Sequence, residues 1–128
     1  MFRRVEPQLY AVARMVLGFL FLMHGLQKLL GIAGGTPLPV TSLPGAAGLI
    51  ETVGGVLIIG GVVTRVVAFV CSGEMAAAYF MVHQPQAPWP VQNGGEPAVL
   101  FCFAFLYMAA RGGGIWSLDS IVARRKGS

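Results

Sequence analysis

Apolar positions along the chain gather into four runs, and the stretches between them hold nearly all of the prolines. The first run, 11–30, is long enough to cross a hydrocarbon layer of about 30 Å as a helix. Beyond it, Gly34-Gly35 with Pro37, Pro39 and Pro44 cannot continue a helix and mark a loop over 31–44. The second run, 46–63, and the third, 66–82, are separated only by Thr64-Arg65, and so short a turn predicts an antiparallel helical hairpin. Residues 83–97 carry Pro85, Pro88, Trp89, Pro90 and Asn93-Gly94-Gly95-Glu96, which suits a segment folded back on the membrane surface. The fourth run, 98–110, is short by itself. It reaches the thickness of a bilayer only by extension through Gly112-Gly113-Gly114 to 115, or by local thinning of the lipid. Residues 1–8 read as a basic tail, with Pro7 at the helix start. The pattern predicts an all-α protein, an integral membrane four-helix bundle forming one domain over 1–128.

Composition agrees with this pattern. Hydrophobic residues make up 55% of the chain and charged residues 11%, against about 25% charged in soluble proteins. The net charge of +4 would suit a nucleic-acid partner only if the basic residues shared a face, and they lie instead at the ends of runs and in the tails. Membrane lipid is the expected surrounding. Arg3, Arg4, Arg65, Arg111 and the cluster Arg124-Arg125-Lys126 all fall on one side, while both long loops lack lysine and arginine. The positive-inside rule then makes both termini cytoplasmic and the long loops external. Arg14, His24 and Lys28 interrupt the first run, so it reads as a retained span rather than a cleaved leader. Cys71 and Cys102 have neither CxxC nor metal spacing, and the topology sets them roughly 10 Å or more apart along the membrane normal. A disulfide needs Cα atoms within about 7 Å, so two free, buried thiols are expected.

With the topology in place, polar residues can be assigned a depth. His24 and Lys28 share one face of the first span's outer half, with Gln27 alongside. Glu51 falls near the outer end of the second span, His83 at the end of the third and Glu96 at the start of the fourth. Glu74 lies deeper, near the middle of the third span. An ionisable residue inside a membrane is costly, and so is a functional candidate by default. A structural reading stands beside each functional one. Glu51 pairs with Lys28 as a helix lock or meets His24 in a site; His83 and Glu96 are site residues or solvated loop edges; Glu74 pairs with Arg14 or Arg65.

Imidazole and carboxylates can exchange protons near neutral pH, and a lysine can hold an oxyanion. That set suits a quinone head group, with His24, Glu51 and Glu96 as the proton-handling residues and Lys28, Gln27, Arg14, His83 and Trp89 as binding residues. Arg65, Glu74 and Asp119 are assigned structural roles. Phe19, Phe21, Trp89, Phe101, Phe103 and Tyr107 offer walls for an apolar slot, core packing being the plainer reading of each. Glycines of the second span and Ala76 to Ala78 of the third suit close helix approach. Gly112-Gly113-Gly114 lacks the strand, lysine and hydroxyl of a phosphate loop. No haem, flavin or metal motif is present in the sequence, so electrons would come from a partner or from a substrate. A scaffold docking a soluble or membrane redox enzyme, and a proton-coupled transporter assembled as a homo-oligomer, are the competing readings.

The order Arg14, Gly18-Phe19-Leu20-Phe21, His24-Gly25-Leu26-Gln27-Lys28, then Glu51-Thr52-Val53-Gly54-Gly55, Thr64-Arg65, Asn93-Gly94-Gly95-Glu96 and Gly112 to Asp119 resembles the DoxX family of small four-helix bacterial membrane proteins. The resemblance covers almost the whole chain. It implies a place in the bacterial inner membrane and quinone-linked redox chemistry, as in a subunit similar to that of thiosulfate:quinone oxidoreductase or in assemblies that detoxify oxidants. Arg14, His24, Lys28, Glu51, Arg65, Glu96 and Asp119 are the positions it carries over. A wider similarity to surfeit-locus cargo receptors implies a pure binding role.

Overall fold

The computed structural model describes residues 2–126, and among these every regular element is helical. Helix α1 runs Phe2–Leu30, α2 Leu43–Gly60 and α3 Thr64–Ala78; a π turn Tyr79–His83 and a 3-10 turn Gln84–Gln86 carry α3 onward. Then come the single turn α4, Pro90–Asn93, the helix α5, Glu96–Arg111, and the terminal α6, Leu118–Lys126. Among the described residues, three segments are long and apolar enough to cross a membrane: Phe2–Leu30, Leu43–Gly60 and Thr64–Gln86.

The boundaries move where side chains overrule the sequence pattern. The basic tail is helical from Phe2, with Pro7 inside α1 and Glu6 paired with Arg111. The turn between α2 and α3 lies at 61–63 instead of Thr64-Arg65. Gly61 ends α2 at φ +67°, Val63 takes φ +45°, and Thr64 already begins α3. A β-branched residue in this region is strained, and the Asp119 carboxylate holds the turn by accepting from Val63 N at 2.7 Å and Thr64 N at 2.8 Å. Ser42 caps α2, its Oγ accepting from Gly45 N at 3.1 Å. Helix α5 does not extend through the glycines. Gly112 leaves the helix at φ +92°, and Arg65 donates to the terminal carbonyls of Ala109, Ala110 and Arg111. Its 16 residues measure about 24 Å at ~1.5 Å per residue.

Packing pairs α1 chiefly with α2, and α3 chiefly with α5, while α2 and α3 touch less despite their short link. Glycines set the first pairing. A Cβ on Gly25 would lie 2.8 Å from the Gly48 carbonyl, and one on Gly55 would lie 2.8 Å from the Gly18 carbonyl. The backbones therefore meet directly, as small-residue helix interfaces in lipid do. Phe21 enters a cluster with Phe101 and Phe105 of α5, at ring separations of 5.7 and 4.8 Å. Ser72 Oγ joins α3 to α5 by donating to Cys102 O at 2.7 Å. Cys71 and Cys102 are free thiols, the first buried and the second half-buried.

Candidate functional site

The polar residues sort into two clusters at opposite ends of the bundle. At the basic end Arg14 is completely buried. Its guanidinium donates to Ile58 O (3.0 Å), Ile59 O (3.4 Å), Ile115 O (3.1 Å), Trp116 O (2.8 Å) and Gly113 O. Gly113 to Trp116 precede α6, so Arg14 ties α1 and the end of α2 to the chain's last turn. This corrects its expected place among the substrate-binding residues: its donors face carbonyls, far along α1 from His24. Tyr10 adds a bond to Gly112 O at 2.5 Å and carries the Arg111 guanidinium over its ring at 4.0 Å. Partial burial would raise the Asp119 carboxyl, but hydrogen bonds from Thr64 and Val63 and the charge of Arg14 outweigh it and hold it below the ordinary aspartate range.

The second cluster borders a cavity of about 720 Å³ where α2 and α3 diverge. His24, Lys28, Glu51, Glu74 and His83 all line it. Lys28 Nζ lies 2.5 Å from Glu51 Oε2, with the lysine side chain 31% exposed and the glutamate 2%. Of the two partners open to Glu51, then, Lys28 makes the ion pair. His24 sets its ring edge-on to Phe101 at 5.9 Å. His83 stacks on Tyr79 and has Nδ1 3.2 Å from Asn93 O. Asn93 is buried and folds the loop beside the cavity: its amide donates to Ala87 O and Tyr79 Oη, and its Oδ1 accepts from Gly95 N.

Glu74 departs from the pairing expected with Arg14 or Arg65. Both arginines are occupied with backbone carbonyls at the basic end, and Glu74 faces the cavity with neither carboxyl oxygen hydrogen-bonded, though both are buried. Glu51 and Lys28 are its charged neighbours. Three other expected site residues lie outside the lining. Glu96 is exposed in the first turn of α5, where a carboxylate favours the helix dipole. Trp89 is 65% exposed. Gln27 turns into the adjacent loop, donating to Ala33 O at 3.1 Å.

Of the aromatic candidates, Phe21 and Phe101 wall the cavity, whereas Phe19, Phe103 and Tyr107 point outward. The remaining wall is apolar, and its outer members Leu43, Ile50, Met81 and Val82 are exposed. Ala46-Ala47 and Ala77-Ala78 leave the room. These small residues lie on α2 and α3 along the cavity lining, a signal visible in the sequence only once the two helices are known to diverge. Among the described residues, no group of three potential ligands is placed to hold a metal ion.

A small helical membrane protein with ionisable groups around an internal cavity is the class that this fold and site define. The DoxX family model matches residues 9–84. An uncharacterised protein of Haemophilus influenzae is 38% identical over 128 residues, covering 91% of this chain and 92% of the relative. The chain belongs to the DoxX family. No solved structure matches it.

Proposed function

We propose that the protein binds a quinone or quinol in the cavity between α2 and α3 and supports quinone-linked oxidation or oxidant detoxification in the bacterial inner membrane. In this reading α5 is a fourth, short span, both termini are cytoplasmic, and the cavity lies in the outer leaflet. The observation that carries the reading is the convergence of His24, the Lys28–Glu51 pair and Glu74 on one cavity with an apolar rim. Its volume of about 720 Å³ falls among ligand sites of roughly 300–1,000 Å³. A head group with polar oxygens meets Lys28 and His24, and an isoprenoid tail leaves between Ile50 and Met81 toward lipid. His24 and Glu51 handle the protons, and the electrons pass to or from a partner redox enzyme or a substrate.

Quinone binding to the purified protein in nanodiscs, followed by the quinone's ultraviolet spectrum, tests this. Saturable binding is expected, weakened at least about tenfold by His24→Ala, a loss of ~1.4 kcal/mol. Absence of saturable binding in the folded wild-type protein overturns the quinone reading.

A further inference from the structure

The cavity wall contains one carboxyl group that forms no ion pair among the described residues. Lys28 and Glu51 form a pair of net zero charge. Glu74 reaches the same cavity from α3 with both oxygens buried, no donor against either and the Glu51 carboxyl as its side-chain neighbour. The titratable groups around it are few. Helix α1 supplies His24 and Lys28, α2 supplies Glu51, and α3 itself supplies Cys71 one turn earlier and His83 at its far end; the α5 side contributes Pro97, Ala98 and Phe101. Lys28 is already committed to Glu51, and both guanidinium groups that could have met Glu74 are at the other end of the bundle. Taking an unpaired carboxylate out of water is far more costly than taking out the neutral acid, and a buried group with no counter-charge takes up a proton instead.

We infer that Glu74 holds a proton in the ligand-free protein and presents its O–H to the cavity as a hydrogen-bond donor beside the Lys28 ammonium. Two donors at one end of a largely apolar cavity favour a head group with acceptor oxygens, so a carbonyl-bearing oxidised ring fits better than its hydroxylated, reduced form. The inference rests on reading the cavity as a ligand site, but the protonation of Glu74 does not depend on that ligand being a quinone.

Infrared spectroscopy of the whole protein in lipid tests it directly. A protonated-carboxyl C=O band is expected at neutral pH without ligand, shifting down in D₂O, retained in the double change Lys28→Met with Glu51→Leu, which leaves no free cation beside it, and lost in Glu74→Gln. Should Glu74→Gln not assemble, Glu74→Asp keeps the acid and is expected to move the band. No band in the wild type, or one unaltered by either change at Glu74, overturns the assignment. Adding decylubiquinone is expected to lower the band's frequency as the O–H finds an acceptor. Bound quinone that leaves the band unmoved removes the donor role. Failure of decylubiquinone to bind while the band behaves as expected supports the proton on Glu74 and counts against the quinone reading alone.

Discussion

At the basic end Arg14 is fully buried and its donors all meet backbone carbonyls, whereas at the cavity end Glu74 has both oxygens buried and neither partnered. The same bundle therefore buries polar groups in two ways. A buried polar group whose bonds are all made inside the protein fixes geometry, and one left unsatisfied marks a place completed by a proton, water or ligand. The basic end also has a depression of about 470 Å³, bordered by Thr64, Arg65, Arg111 and Asp119. Its arginines are engaged, Arg65 with the end of α5 and Arg111 with Glu6, so it serves as a joint between helices.

The contrast breaks most visibly at Arg14. Arg14→Lys keeps the charge but lacks the planar fork, and one ammonium cannot reach carbonyls on both α2 and the segment before α6. Losing two or more charge-assisted bonds, each worth ~1.5–3 kcal/mol, is expected to destabilise by at least about 3 kcal/mol. Unfolding in detergent measures it. A lysine variant as stable as wild type would show that the carbonyl cage does not hold this end together.

At the cavity end the next largest effect is expected from Lys28→Met, which strands the Glu51 carboxylate. Breaking a buried pair costs about 3–5 kcal/mol, with the lower figure apt for a half-buried lysine. The double change Lys28→Met with Glu51→Leu is expected to recover most of that stability and still bind no quinone. A double variant that binds like wild type would reduce the pair to a helix lock. His24→Ala, on the cavity wall, is expected to cost less than about 1 kcal/mol in stability while weakening binding. That split between folding and binding is the opposite of the result expected at Arg14.

The sequence disclosed the all-helical character and the cluster His24, Lys28 and Glu51, because hydropathy and helical periodicity act over single segments. Helix neighbours were less legible. The short Thr64-Arg65 link implied an antiparallel hairpin of α2 and α3, but the glycines of α2 favour α1, and the resulting divergence opens the cavity. Glu74 was misassigned for the same reason: its depth was readable, but not that Arg14 and Arg65 would turn to carbonyls. Glu96 and Trp89 were grouped with the site by their position in a loop, while the fold directs both outward. Asn93 was noted only as part of a Gly-rich motif, since its buried amide network depends on how 87–95 folds back.

The smallest effect tests the joint at Asp119, where the cap serves a strained turn. Asp119→Asn keeps one acceptor oxygen and loses the charge, so the φ +45° conformation of Val63 is held by fewer and weaker bonds. Losing a helix cap costs about 0.5–2 kcal/mol, and solvent screening at this half-buried carboxylate places the expected loss near the lower end. The pH dependence gives the sign. A carboxyl whose value is lowered on folding contributes its full stability above the ordinary aspartate pKa of ~3.9 and loses it as the pH falls through the lowered value. Wild type should therefore exceed the variant at neutral pH and converge on it under acid, when both have a neutral group at the cap. A stability difference unchanged from neutral pH to below the lowered value would show that shape rather than charge holds the turn.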